Sequence, residues 1–177
     1  DGKKIGMKDG FEALWSIVKF SVLDSDYVKG AVVEETLAKM TSLDRFNRHL
    51  YETIAPWCGR RILETGAGIG NITRFLLSRA DVHATDVNEA SVARLREQHQ
   101  GIEGFSAGVW DIAMPPGNDL LGAGCDTAVC LNVLEHVEDD AVALANLRRI
   151  LEPANGRLVL LVPALPALYS GLDKGIG

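Results

Sequence analysis

The sequence predicts an α/β fold: a doubly wound, mostly parallel sheet with helices on both faces, preceded by a helical extension. Three observations predict it. From Arg60 onward, five short apolar runs alternate with helix-length stretches, the pattern of parallel strands joined by crossover helices. The first of these runs ends in three glycines at alternate positions, Gly66, Gly68 and Gly70, where a strand must turn sharply into a helix. At 177 residues and 47% hydrophobic content, the chain has enough apolar surface for one sizeable core.

The elements follow in order. Phe11, Leu14, Trp15, Val18 and Val22 form one apolar stripe at helical spacing. Residues 1–30 carry five Lys and five acidic residues, so this helix lacks the cationic face of a membrane-surface element and is expected to cover the core or a pocket. Residues 24–41 read as a connector with a short helix. A second helix is expected from Ser42 to Ala55, with Leu43, Phe46, Leu50 and Ile54 inward and Pro56 ending it. Together these make an N-terminal helical extension, residues 1–56, ahead of an α/β domain spanning 57–177.

Within that domain Arg61–Thr65 is predicted as the first strand and Asn71–Arg79 as a helix. Val82–Thr85 is the second strand, ending in Asp86, and Asn88–Gln98 the next helix. Gly104–Ala107 is the third strand, and the apolar run Cys125–Leu131 is the fourth. Asp139–Leu151 is a helix with Ala141, Leu144, Ala145, Leu147 and Ile150 inward, closed by Gly156. Arg157–Val162 is the fifth strand.

Charge and cysteine usage exclude some classes. A net charge of −6, with Lys and Arg spread along the chain, argues against a nucleic-acid backbone as partner. Cys58, Cys125 and Cys130 are an odd count without a C-x-x-C pair, which reads as reduced thiols of a cytoplasmic protein rather than disulfides or a zinc site. The longest apolar run, Leu158 to Val162, is far too short to span a bilayer. The chain starts at Asp1, not Met, and is expected to be processed, tagged or trimmed.

The chemistry concentrates at the ends of the strands. Glu64-Thr-Gly66-Ala-Gly68-Ile-Gly70 is a strand followed by a loop whose glycines let a ligand lie against the backbone. A dinucleotide fingerprint G-x-G-x-x-G would need its third glycine at position 71, which is Asn71. Asp86, twenty residues after Gly66 and at the carboxyl end of the second strand, is placed to accept hydrogen bonds from both ribose hydroxyls of an adenosine cofactor. The competing reading makes Asp86 part of a helix cap before Asn88 and Glu89.

The E-x-G-x-G-x-G stretch resembles the first motif of the class I S-adenosylmethionine-dependent methyltransferases, whose sheet is Rossmann-like. The segment Cys130-Leu-Asn-Val-Leu-Glu-His-Val-Glu-Asp139 is similar to that family's N/S-V-L-E-H-V stretch. The resemblance implies that S-adenosylmethionine is the cofactor. It places Glu64 near the methionine ammonium, Gly66, Gly68 and Gly70 against the amino-acid portion, and Asp86 on the ribose. Asn132, at the end of the fourth strand, would face the methionine portion with its backbone. Family members often carry an acid after the third strand that meets the adenine amino group; here Gly108 stands there, with Trp110 and Asp111 just beyond as candidate adenine neighbours. Core filling is the alternative for Trp110. The family sheet also adds two further strands, which this sequence, ending fifteen residues after the fifth strand, is expected to lack.

Glu135 and His136 fall at the mouth of the same crevice. His136 is a candidate general base for a substrate hydroxyl, because its unperturbed pKa lies near the working pH; the alternative is that it fixes the loop. Adjacent residues lack metal-ligand spacing, so no metal is assigned. The Pro- and Gly-marked segment after the fifth strand, with Tyr169 and Asp173, resembles the loop where substrate approaches in a bacterial subgroup of the same methyltransferase family; the alternative is a plain surface connection. The resulting expectation is methyl transfer to a small-molecule or lipid-linked acceptor by in-line displacement. The rivals are an NAD(P)-dependent oxidoreductase and a non-catalytic cofactor-binding module.

Overall fold

The computed structural model describes residues 44–163. The stripe on Phe11–Val22, the connector 24–41 and the segment with Tyr169 and Asp173 lie outside the described residues. Every element of the fold lies within one compact unit.

The described residues form α1 (Asp44–Ile54), β1 (Arg61–Thr65), α2 (Thr73–Leu76), β2 (Asp81–Asp86), α3 (Glu89–Gln98), β3 (Phe105–Val109), α4 (Asn118–Gly122), β4 (Thr127–Leu131), α5 (Asp140–Leu151) and β5 (Arg157–Leu161). The five strands make one sheet in the order β3-β2-β1-β4-β5. Every pairing is parallel, with Ile62 opposite both Val82 and Thr127. The expected doubly wound α/β sheet is therefore the one observed.

Alternation along β1 divides the core into two layers. Ile62 points into a cluster with Val82, Ala84, Val129, Leu76, Leu95 and Ile54, under α1, α2 and α3. Leu63 points the other way, into Trp110, Ile112, Leu120, Ala128, Leu147 and Ile150, under α4 and α5. Burying each such Leu or Ile stabilises the fold by about 1.5–3 kcal/mol. Asp126 ties the starts of β1 and β4 together: its Oδ2 accepts from the Arg60 and Arg61 amides (2.8 and 3.1 Å) and its Oδ1 from the Thr127 hydroxyl (2.8 Å).

Several expected elements are corrected. The helix predicted over Asn71–Arg79 is a single turn, Thr73–Leu76. Its flanks close with short i→i+3 bonds, Phe75 to Ile72, Ser78 to Phe75 and Arg79 to Leu76, and the Ser78 hydroxyl also donates to the Phe75 carbonyl, drawing it from the helical ladder. β3 starts one residue late because Gly104 holds φ +79°, which no strand residue adopts, and it continues through Gly108 to Val109. Helix α4 was not predicted; five residues of Asn-Asp-Leu-Leu-Gly give too little periodicity to see.

Leu50 and Ile54 of α1 and Leu147 and Ile150 of α5 face the core as expected, but the rest of each inward face differs. In α1, Phe46 is 47% exposed and Asn47 is buried. In α5, Ala143, Asn146, Leu147, Ile150 and Leu151 are buried, while Ala141, Leu144 and Ala145 are exposed. In both helices a buried asparagine occupies the true apolar stripe, and a count of apolar residues alone passes over it. Among the described residues no helix is long and apolar enough to cross a membrane, and no group of three or more His, Cys, Asp or Glu is arranged to hold a metal ion.

Candidate functional site

The connections after β1 and after β4 leave in opposite directions along the sheet, so a crevice opens above the carboxyl ends of these two neighbours, where open α/β sheets take ligands. The walls are the glycine loop 66–70 and the segment 132–137. Gly66, Gly68 and Gly70 have φ of +63°, +54° and +85°, a region closed to most side chains. A Cβ on Gly66 would overlap Val133 Cγ2, so the two walls pack directly on one another. Asn132 shares the left-handed region at φ +54°, a conformation asparagine tolerates better than most residues. Its amide donates to the Leu161 carbonyl (2.9 Å), which ties the second wall to β5.

Asp86, at the end of β2, reaches back to the loop. Its Oδ2 accepts from the Gly68 amide (2.8 Å) and its Oδ1 from the Asn88 amide (2.9 Å). The Ala67 amide donates to the Thr85 carbonyl (3.0 Å), a second tie between the loop and β2. The cap of α3 belongs to Asn88, whose side chain accepts from the Ala90 and Ser91 amides (2.9 and 3.2 Å). Helix capping therefore does not occupy Asp86. A carboxylate offers about four acceptor positions, so each oxygen retains one for a further hydroxyl.

Glu64 lies beneath the loop, 4% exposed, with the Thr73 hydroxyl donating to its Oε2 (2.6 Å). Burial pushes its carboxyl up to about 7; the Thr73 hydrogen bond pulls it down, and the Asp86 charge pushes it up. The side chain shares the layer of Ile62, and its backbone carbonyl accepts from the Thr85 hydroxyl (3.1 Å).

On the far side of Asp86, the Trp110 amide donates to the Asp86 carbonyl (3.1 Å). The Trp110 ring is 8% exposed in the second core layer, and its Nε1 donates to the Met114 carbonyl (3.2 Å). Asp111 is exposed, and its Oδ1 accepts from the Ala113 amide (2.8 Å). His136 ends the short 3-10 turn Leu134–His136 on the opposite wall, half-buried beside Glu135. The fold thus brings Glu64, the three glycines, Asp86 and Asn132 to one end of the sheet, with Trp110 and Asp111 at its β3 flank and His136 at its β4 side. Sequence reasoning missed Thr73, which holds Glu64, and Asn146, whose amide reaches the loop after β3. The cap before α3, expected to involve Asp86, is made by the Asn88 side chain.

The donor set fits an adenosyl ligand: a carboxylate with acceptor positions left at the β2 end, a glycine loop whose two side chains, Ala67 and Ile69, are buried, and a buried acid behind it. Comparison with known proteins agrees. The chain is 26% identical to the O-methyltransferase rstn1 of Aspergillus nomiae over 84% of its own length and 66% of that protein. It is 30% identical to a probable S-adenosylmethionine-dependent methyltransferase of Mycobacterium tuberculosis, covering 74% of this chain and 47% of that one. The chain thus spans from about half to two thirds of these relatives. The methyltransferase (CMeT) domain of the citrinin polyketide synthase shares the fold, with a TM-score of 0.58 and 24% identity over 67% of this chain and 32% of that one. Residues 63–158, which run from β1 into β5 and contain the loop, Asp86 and the Asn132 segment, match the family model described as a methyltransferase domain, and the chain belongs to that family.

Proposed function

We propose that the chain binds S-adenosylmethionine in the crevice above β1 and β4 and moves its methyl group to a small-molecule or lipid-linked acceptor. The observation that carries this reading is the tie between the Gly68 amide and Asp86, at 2.8 Å. It sets a loop with only glycines and buried side chains, and a ribose-binding carboxylate, at a fixed separation across two adjacent strands. When bound, the cofactor supplies a methyl group on a sulfonium with a neutral thioether as leaving group.

The residues of this chain hold and orient. Asp86 accepts the ribose hydroxyls, the loop backbone lies along the amino-acid portion, and behind it stands Glu64, whose ionised form the cofactor's ammonium would favour. Asn132 presents its backbone from the second wall. Trp110 and Asp111 border the base. His136 takes a proton from an acceptor hydroxyl at its imidazole nitrogen. Alignment of nucleophile and methyl can by itself supply roughly 7–11 kcal/mol of rate enhancement. The reduced, buried Cys58, Cys125 and Cys130 accord with a cytoplasmic setting.

The dinucleotide reading is weaker. It needs a helix N-terminus for the pyrophosphate, and the segment after the loop is only the four-residue α2. Calorimetric titration with S-adenosylmethionine, S-adenosylhomocysteine and NADH decides. Micromolar binding of the two adenosyl ligands without NADH supports the proposal; NADH binding, or no binding of the adenosyl ligands, removes it.

A further inference from the structure

One buried polar side chain reaches from α5 to the loop that leaves β3. Asn146 is 5% exposed, on the helix face otherwise made by Ala143, Leu147 and Ile150. Its Nδ2 donates to the Ile112 carbonyl (2.9 Å) and to the Met114 carbonyl (3.1 Å). Both partners are acceptors only, so the amide nitrogen must face them. The Met114 carbonyl also accepts from Trp110 Nε1 (3.2 Å), and the Met114 amide donates to the Asp111 carbonyl (2.9 Å). Residues 110–114 are therefore held in one network, with Asn146 as its anchor in the core.

The position of this network gives it a role. The Trp110 amide is bonded to the Asp86 carbonyl, so the loop leaves the sheet directly beside the carboxylate assigned to ribose. In the binding mode proposed above, the loop 66–70 after β1 and Asn132 after β4 take the amino-acid portion, and both lie on the β1 side of Asp86 in the order β3-β2-β1-β4-β5. The ligand's base must then lie on the other side of Asp86, over the end of β3. An apolar side chain at position 146 would fill the core without the cost of desolvating an amide, so the contribution of Asn146 lies in its two bonds to the loop.

We propose that Asn146 is a positioning residue for cofactor binding, acting through the 110–114 loop to fix the wall that meets the base. The inference rests on the methyltransferase reading above. The test compares wild type, Asn146→Leu and Leu147→Val. Leu147 is buried on the same helix face but makes no bond to the loop, so its variant reports on core packing alone.

The expected result for Asn146→Leu is about a tenfold rise in the Kd for S-adenosylhomocysteine by calorimetry, the size of one lost buried hydrogen bond carried into binding. Amide hydrogen exchange should accelerate at residues 111–114. Leu147→Val should lower Tm and leave both readouts at wild-type values. Unchanged Kd and exchange in Asn146→Leu overturn the inference, as does an equal Kd loss in Leu147→Val. Should Asn146→Leu not fold, Asn146→Ala, which also removes both bonds, is read in its place under the same criteria. Absence of binding by wild type removes the methyltransferase reading and this inference together, and is distinct from a variant that fails to differ.

Discussion

The Gly68 amide and the Asp86 carboxylate meet at 2.8 Å, joining the loop after β1 to the end of the neighbouring strand. One side chain thereby shapes the glycine loop and keeps acceptor positions for a ligand. Asp86→Ala leaves the Gly68 and Asn88 amides without this acceptor. Hydrogen bonds to a charged group contribute roughly 1.5–3 kcal/mol each, so S-adenosylhomocysteine affinity should fall by a factor of about 100 or more. Asp86→Asn retains an acceptor oxygen and should lose less. Calorimetry on both variants checks the order.

Glu64 gives the free chain a pH signature. Its folded-state carboxyl is raised to about 7 from 4.5, chiefly by burial. The folded state therefore holds a proton that the unfolded state releases above pH 4.5. This stability is fully present below that pH and is lost as pH rises through about 7, by at most about 3 kcal/mol. Glu64→Gln, which keeps an acceptor for the Thr73 hydroxyl, should flatten the dependence. Urea unfolding midpoints at pH 5 and pH 8 measure it, and a wild-type midpoint independent of pH would refute the assignment.

Gly66 fails as alanine for two separable reasons. The backbone at φ +63° disfavours an L side chain by roughly 1–2 kcal/mol, and the new Cβ overlaps Val133. Gly66→Ala should lower Tm and abolish cofactor binding. Adding Val133→Ala removes the overlap but not the backbone strain, so the double variant should recover part of the Tm and little of the affinity.

Asp126 braces the sheet at the end away from the site. Burial alone would raise its carboxyl, but the Arg60 and Arg61 amides, the Thr127 hydroxyl and the Arg61 charge outweigh it and hold it below 3.8. Its stabilisation is present above pH 3.8 and disappears as pH falls through the lowered value. At neutral pH Asp126→Ala should destabilise the fold by about 2 kcal/mol through the lost charged hydrogen bonds. Cofactor affinity of the folded fraction should stay unchanged, as paired denaturation and calorimetry would reveal.

The base role proposed for His136 can be measured apart from cofactor binding. His136→Ala should leave the Kd for S-adenosylhomocysteine within about twofold while slowing transfer to a hydroxyl acceptor by roughly 100-fold or more, the usual reach of a general base. Turnover equal to wild type would end the base assignment without touching the cofactor site.

The sequence by itself determined the fold class and the line of the crevice. Period-two strands, period-3.6 helices and glycines at required turns are local properties, and local properties are written in neighbouring residues. Glu64, the glycines, Asp86 and the Asn132 segment were legible because each closes a strand whose end can be counted from the pattern. The tertiary structure decided what depends on partners far along the chain. Asn47 and Asn146 are buried where a polar residue reads as exposed; for Asn146 the carbonyls that satisfy it lie more than thirty residues away. Thr73 holds Glu64 only because α2 folds back over β1. The helix expected over Asn71–Arg79 shrank to one turn under bonds that its composition does not record. That Asn88, and not Asp86, caps α3 shows only in the folded chain. A hydrogen bond across the fold has no sequence period, so these relationships exist only once the strands lie side by side.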